Sequence, residues 1–262
     1  MKKLIFSLLT SLSLCAMERN NSYYVPAVAQ KELTHITEEQ LSAILPDDQL
    51  SSQGVITSLV VRPQEHYRTL VNELVITPEG IEGDKHVNSK PHYALDVVTL
   101  MRSDVSDALG GAHVPGDNIH VKGMKLSKKN IKAGDLVIVK NQSTIKAVLL
   151  KTHIPHYACW KLTARCGKTA FDFLNAEGNF LNGYGSIHGL RDRLRGIRLS
   201  VLKSDEPVRI GDLVAIATKE QKDLILADSQ IHGEYQKLLS MSIEVGNTLK
   251  KQEKAKRALR NK

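Results

Sequence analysis

The chain has 262 residues, 42% of them hydrophobic and 24% charged, enough to bury one substantial core with appended elements. Its formal charge of +8 sits at the two ends: residues 246–262 carry seven Lys or Arg against Glu253, Lys2 and Lys3 supply the rest, and 18–245 is neutral. That distribution argues against nucleic acid binding on the main domain, and three cysteines, at 15, 159 and 166, are too few for a zinc or iron–sulfur quartet.

Residues 1–17 pair Lys2-Lys3 with an apolar run of signal-peptide length, too short for a comfortable transmembrane helix. The chain is therefore expected to be exported or membrane-associated if this segment is used, and cytoplasmic if translation starts at Met17. Cys15, after Leu12-Ser13-Leu14, weakly resembles a lipid-acceptor cysteine. Residues 18–53 form a polar extension. Within it a short helix is expected over Thr37–Leu45, opened by Thr37 with Gln40 at capping-box spacing and ended by Pro46-Asp47-Asp48.

Residues 54–217 read as a β-rich domain. Gly54–Pro63 is a strand by its β-branched content, stopped by the proline, and Leu74–Thr77 is another. Gly80-Ile81-Glu82-Gly83-Asp84-Lys85-His86 is a glycine turn followed by clustered polar groups. Tyr93–Met101 reads as a strand, Ser103–Leu109 as a short helix ending at Gly110-Gly111, and Pro115-Gly116-Asp117-Asn118-Ile119 as a second polar turn. Ile131-Lys132-Ala133-Gly134-Asp135-Leu136-Val137 feeds a strand, and the pattern returns as Val208-Arg209-Ile210-Gly211-Asp212-Leu213-Val214. Two such units separated by several strands suggest a mainly β fold, a closed or nearly closed β-barrel with a few short helices.

From 218 to 262 the chain reads as a long C-terminal helix with a basic tail. It lacks proline, and apolar residues fall at 224, 231, 235, 238, 245 and 249 in near-heptad spacing. The stripe is expected to pack on the barrel or on another copy, giving a homo-oligomer in the second case.

Taken singly, the candidate groups decide nothing. Gly80-x-x-Gly83-Asp84 lacks the Lys-Ser/Thr ending of a phosphate loop, and no His-x-x-x-His, Cys-x-x-Cys or Gly-x-Ser-x-Gly spacing occurs. A buried Cys is more often a small hydrophobe than a ligand. Cys159 nevertheless stands in a stretch with the sole Trp, His156 and two basic residues, Ile154–Cys166.

The order of motifs carries more. Gly80–His86, then Gly116-Asp117-Asn118-Ile119 with Gly123, Gly134-Asp135, Cys159-Trp160-Lys161-Leu162, Gly196–Leu202 and Gly211-Asp212 resemble the MOSC domain. This module is shared by molybdenum-cofactor sulfurase C-termini, the amidoxime-reducing components and bacterial N-hydroxylated-purine reductases. The resemblance spans about residues 54–217 and implies a MOSC-like β-barrel binding molybdenum cofactor (molybdopterin). It further implies an oxidoreductase that reduces small N-hydroxylated or N-oxide compounds by oxygen-atom transfer. Cys159 would be the catalytic thiolate ligating molybdenum, a soft donor suited to a transition metal. Lys161 and Arg165 would favour the thiolate and meet the cofactor's phosphate. In an extended segment Arg191, Arg193 and Arg195 would share one side, suiting either that phosphate or a solvated strand edge. Asp84, Lys85, Asp117 and Asn118 would hydrogen-bond the pterin or close the pocket. Electrons would come from a separate reductase or electron carrier, as the chain has no flavin fingerprint. The alternative is a non-catalytic molybdenum-cofactor or persulfide sulfur-carrier module.

Overall fold

The computed structural model describes residues 23–25, 36–64, 67–84, 95, 97–127, 130–154, 174, 194 and 196–260. Strands β1 (Tyr23–Val25), β2 (Gln53–Val61) and β3 (Arg68–Val71) are followed by three two-residue strands, β4 (Glu73–Leu74), β5 (Ile76–Thr77) and β6 (Gly80–Ile81), and by the longer β7 (Val98–Arg102). Then come β8 (Ile119–Lys122), β9 (Leu136–Lys140), β10 (Ile145–Lys151), β11 (Ile197–Ser204), β12 (Val208–Arg209) and β13 (Leu213–Ile216). Helices α1 (Glu38–Ser42), α2 (Ser103–Ala108), α3 (Lys219–Leu226) and α4 (Ser229–Arg260) complete the fold.

The expected mainly β architecture is present. In the order β2-β13-β9-β10-β11-β7-β8 seven strands pair edge to edge, and β8 returns to pair with β2, so the sheet closes into a barrel. Only β7–β8 is parallel among these pairings. Closure removes the unpaired edges that an open sheet would present.

Residue alternation divides the strands between two cores. Val137 and Val139 of β9, Ala147 and Leu149 of β10, and Leu199 and Val201 of β11 fill the barrel interior. Their neighbours Leu136, Ile138, Val148, Leu150 and Leu202 join a second cluster with Tyr235 and Leu238 of α4. Period-two alternation with both faces apolar makes these strands read as nearly continuous hydrophobic runs.

The two Gly-Asp units are the same turn made twice. In each, the amide of Asp135 or Asp212 donates to the carbonyl three residues back, Lys132 or Arg209, at 3.1 Å. The Asp carboxylate in return accepts from the amide of that earlier residue, at 2.6 Å for Lys132 and 2.7 Å for Arg209. The third residue is glycine at positive φ, +94° at Gly134 and +91° at Gly211, which a side chain would resist. The strands that follow, β9 and β13, pair antiparallel with Val214 opposite Val139.

Two expected elements differ. Leu74–Thr77 is divided: Leu74 pairs with Val208 of β12, whereas Ile76 pairs with Ile81 across the Pro78-Glu79 turn. The C-terminal helix is two helices. Thr218 and Gln221 form a capping box that starts α3, and Asp228 caps α4 by accepting from the amides of Gln230 and Ile231 at 2.9 and 3.2 Å. The apolar stripe of α4 packs on the chain's own barrel through Ile231, Tyr235, Leu238, Val245 and Leu249, while Leu224 of α3 is 77% exposed. Among the described residues no helix is long and apolar enough to cross a membrane.

Candidate functional site

Asp84, Asp117 and Asn118 come together at one end of the barrel. The turn closed by the Asp84 amide donating to the Ile81 carbonyl (2.9 Å) follows β6, and Asp117-Asn118 enters β8. The side chain of Asn118 donates from Nδ2 to Asp84 Oδ2 at 3.2 Å, joining residues 34 positions apart.

Asn118 sits where the barrel closes. Its Oδ1 accepts from the Thr99 hydroxyl (2.8 Å), the Thr99 amide (3.2 Å) and Arg62 Nη2 (3.3 Å), and its second Nδ2 proton goes to the Val60 carbonyl at 3.2 Å. Both amide donors and the carbonyl oxygen are thus engaged within the protein, as a fully buried amide requires. The side chain ties β2 to β7 across the start of β8, so it shapes this end of the barrel.

Asp84 is held as firmly. Its Oδ2 accepts from Arg62 Nε at 2.8 Å and from the Arg62 amide at 3.3 Å. The ion pair is largely buried, with side-chain exposures of 15% for Arg62 and 2% for Asp84, so each charge needs the other. Arg62 was missed in the sequence. Its only signal was a charged residue ending an apolar strand immediately before Pro63. Among the described residues its guanidinium hydrogen-bonds only through Nε and one Nη2 proton, leaving three of five side-chain donors beyond these bonds.

The second turn is equally confined. A side chain at Gly116, where φ is +71°, would collide with Arg68 Nε, so glycine lets that guanidinium lie against the turn. Arg68 opens β3, whose pairing with β2 sets Val61 opposite Thr69, the residue next to it. Asp117 is fully buried, and its carbonyl faces His120 Nε2 at 3.1 Å. His120 Nδ1 lies 3.0 Å from the Ser106 hydroxyl. Burial, with a lesser contribution from His113, pushes the His120 pKa down to about 3, so the ring is neutral at ordinary pH.

Lys85, Cys159, Lys161, Arg165, Arg191 and Arg193 lie outside the described residues, as does the segment 1–17. Among the described residues no group of three or more His, Cys, Asp or Glu could hold a metal. A cleft of about 260 Å³ between β10 and the α3–α4 corner, lined by Ile145, Leu224, Ile225 and Ile231, contains none of the expected site residues.

No protein-family model matches the chain, and no curated protein matches it. Among solved structures, the YuaD protein from Bacillus subtilis aligns at 16% identity and a TM-score of 0.42, covering 63% of this chain and 95% of that one. A second crystal structure, of a hypothetical protein, aligns at 17% identity and a TM-score of 0.40, covering 66% of this chain and 70% of the other.

Proposed function

We propose that the chain is a molybdenum-cofactor-binding MOSC protein that reduces small N-hydroxylated or N-oxide compounds, with Cys159 as the metal's thiolate ligand. One observation carries most of the weight. The turns at Gly83-Asp84 and Gly116-Asp117-Asn118, two separate motifs of the resemblance, meet at the same end of the barrel through the Asn118–Asp84 bond at 3.2 Å. Convergence of such motifs is what a shared binding site demands and what scattered turn signals do not.

The donor set there suits an anionic pterin phosphate in one respect. Arg62 is oriented by Asp84 and Asn118 and retains unused N–H donors, the arrangement that favours planar recognition of an oxyanion. Asn118, whose amide is fully committed, and Asp84, through Oδ2, then act by fixing Arg62. When bound, the cofactor supplies the two-electron oxygen-atom transfer; the protein binds it, orients it and excludes water. Cys159 holds it through sulfur, and Lys161 and Arg165 favour the deprotonated thiol. Electrons arrive from a separate reductase or carrier.

Molybdenum and pterin analysis of the protein, purified from a host competent in cofactor synthesis, tests the reading beside a Cys159→Ala variant. The parent is expected to retain molybdenum and the variant to lose it. A parent without molybdenum would sink the proposal. Molybdenum without reduction of a hydroxylamine or amidoxime by a chemical reductant would make the chain a carrier.

A further inference from the structure

We infer that His120 is a positioning residue for the Arg62 site, locking from the α2 side the peptide group that aims Asn118. The inference rests on the reading of Arg62 as the group that meets an oxyanion.

Period-two alternation sets the arrangement. Ile119 and Val121 of β8 belong to the barrel core, so Asn118 and His120 share the opposite face, and both are fully buried. Met101, the register partner of His120 on β7, is buried as well, so this layer accommodates an apolar side chain. An imidazole in its place gives up hydration and needs bonds that justify it.

Those bonds converge on the peptide between Asp117 and Asn118. On its oxygen side, the Asp117 carbonyl accepts from His120 Nε2 at 3.1 Å. On its N–H side, the Asn118 amide donates to the Thr99 hydroxyl at 2.9 Å and to the Thr99 carbonyl at 3.2 Å. A peptide group is planar, so holding both sides fixes its rotation and the direction in which the Asn118 side chain leaves the backbone. The amide so aimed accepts at Oδ1 from Arg62 Nη2 at 3.3 Å and donates from Nδ2 to Asp84 Oδ2 at 3.2 Å. The ring is itself held at its other nitrogen, where Nδ1 lies 3.0 Å from the hydroxyl of Ser106, a fully buried residue of α2. A line of bonds therefore runs from α2 through the imidazole and the turn to the guanidinium. Among the described residues His120 makes no hydrogen bond to Arg62 or Asp84, so it acts on them only through that turn.

Substitution separates the two ring nitrogens. The terminal amide of Gln reaches the place of Nε2, whereas that of Asn reaches only the place of Nδ1. Inorganic phosphate is titrated into the full-length protein while the Arg62 Nε–Hε signal is followed by heteronuclear NMR, with unfolding midpoints measured in parallel. The parental signal is expected to shift saturably, with His120→Gln within about twofold of the parental affinity and His120→Asn weaker by about tenfold. Ser106→Ala releases the ring at Nδ1 and is expected to weaken binding by about threefold; it carries the test should His120→Asn not fold. Parental affinity in both His120→Asn and Ser106→Ala, equal weakening by Gln and Asn, or weakening that only tracks a lowered midpoint would overturn the inference. A parental Arg62 signal that ignores phosphate would remove the oxyanion reading alone. The positioning role is then read from hydrogen exchange of the Asn118 side-chain amide, expected to be about tenfold faster in His120→Asn than in the parent and His120→Gln, and equal rates would overturn it.

Discussion

His120 shows how a fully buried group turns local bonding into a pH response. Asp117 offers only a carbonyl to Nε2, so that nitrogen carries the proton and Nδ1 is left as an acceptor. Ser106 then gives its single proton to Nδ1, or to the Ser103 carbonyl at 2.8 Å, and cannot serve both. A proton added to the ring would turn Nδ1 into a donor and place a charge where burial, and to a lesser degree His113, oppose it. With a folded pKa of about 3 against an ordinary 6.5, the unfolded chain binds one more proton between those values. Stability contributed by this histidine is complete above about pH 6.5 and falls on acidification, by about 1.4 kcal/mol per pH unit. Denaturant unfolding at pH 7 and pH 5 should show His120→Asn losing less stability than the parent, and equal losses would refute the assignment. Sequence exposed part of this chemistry. Asp84, Asp117 and Asn118 stood out because turn residues advertise themselves locally. Arg62, Thr99 and His120 did not, since their partners lie 19 to 56 positions away or become buried only on barrel closure.

Strands and turns repeat that contrast at larger scale. The paired Gly-Asp units were legible because glycine at the third position and Asp at the fourth are what the turn chemistry requires. Their adjacency was not, because strand order is set by the whole sheet. Tertiary placement also distinguishes the two copies. Lys146 Nζ lies 2.9 Å from both oxygens of Asp212, in a pair almost closed to solvent, whereas Asp135 is partnered by backbone. Removing one member leaves a buried charge alone. Lys146→Met should therefore cost about 3–5 kcal/mol in chemical denaturation, and Lys146→Met with Asp212→Asn should recover part of it. A single variant no worse than the double would refute the buried-charge argument. The division of the C-terminal helix was missed for a different reason. Apolar spacing continues across Ala227-Asp228, and only the capping chemistry of Asp228 interrupts the backbone.

For the molecule as a whole, the C-terminal segment, expected from sequence to pack on the barrel or on another copy, lies on the barrel through Leu249 and forms a second wall of the body. Tyr235 and Lys222 both donate to the Gly134 carbonyl, at 3.1 and 2.8 Å, and the helix covers Leu136, Ile138, Val148, Leu150 and Leu202. A chain ending at residue 217 would expose that apolar face, and exposed patches of this kind drive association. It is expected to aggregate or to bind a hydrophobic dye strongly; a soluble monomer with parental thermal stability would show that the helices are dispensable. Barrel closure brings a further consequence, in time. Val55 of β2 meets Leu213 of β13, and the Ile56 amide and carbonyl bond to Asp212 and Gly211. The first long strand must therefore wait for almost the last, a loop closure that local contacts cannot bring forward. Until residues 211–216 arrive, β2 and β9 have unfilled edges, so the Gly211-Asp212 turn is the latch of folding, and the growing chain is most vulnerable to mispairing just before that turn is made.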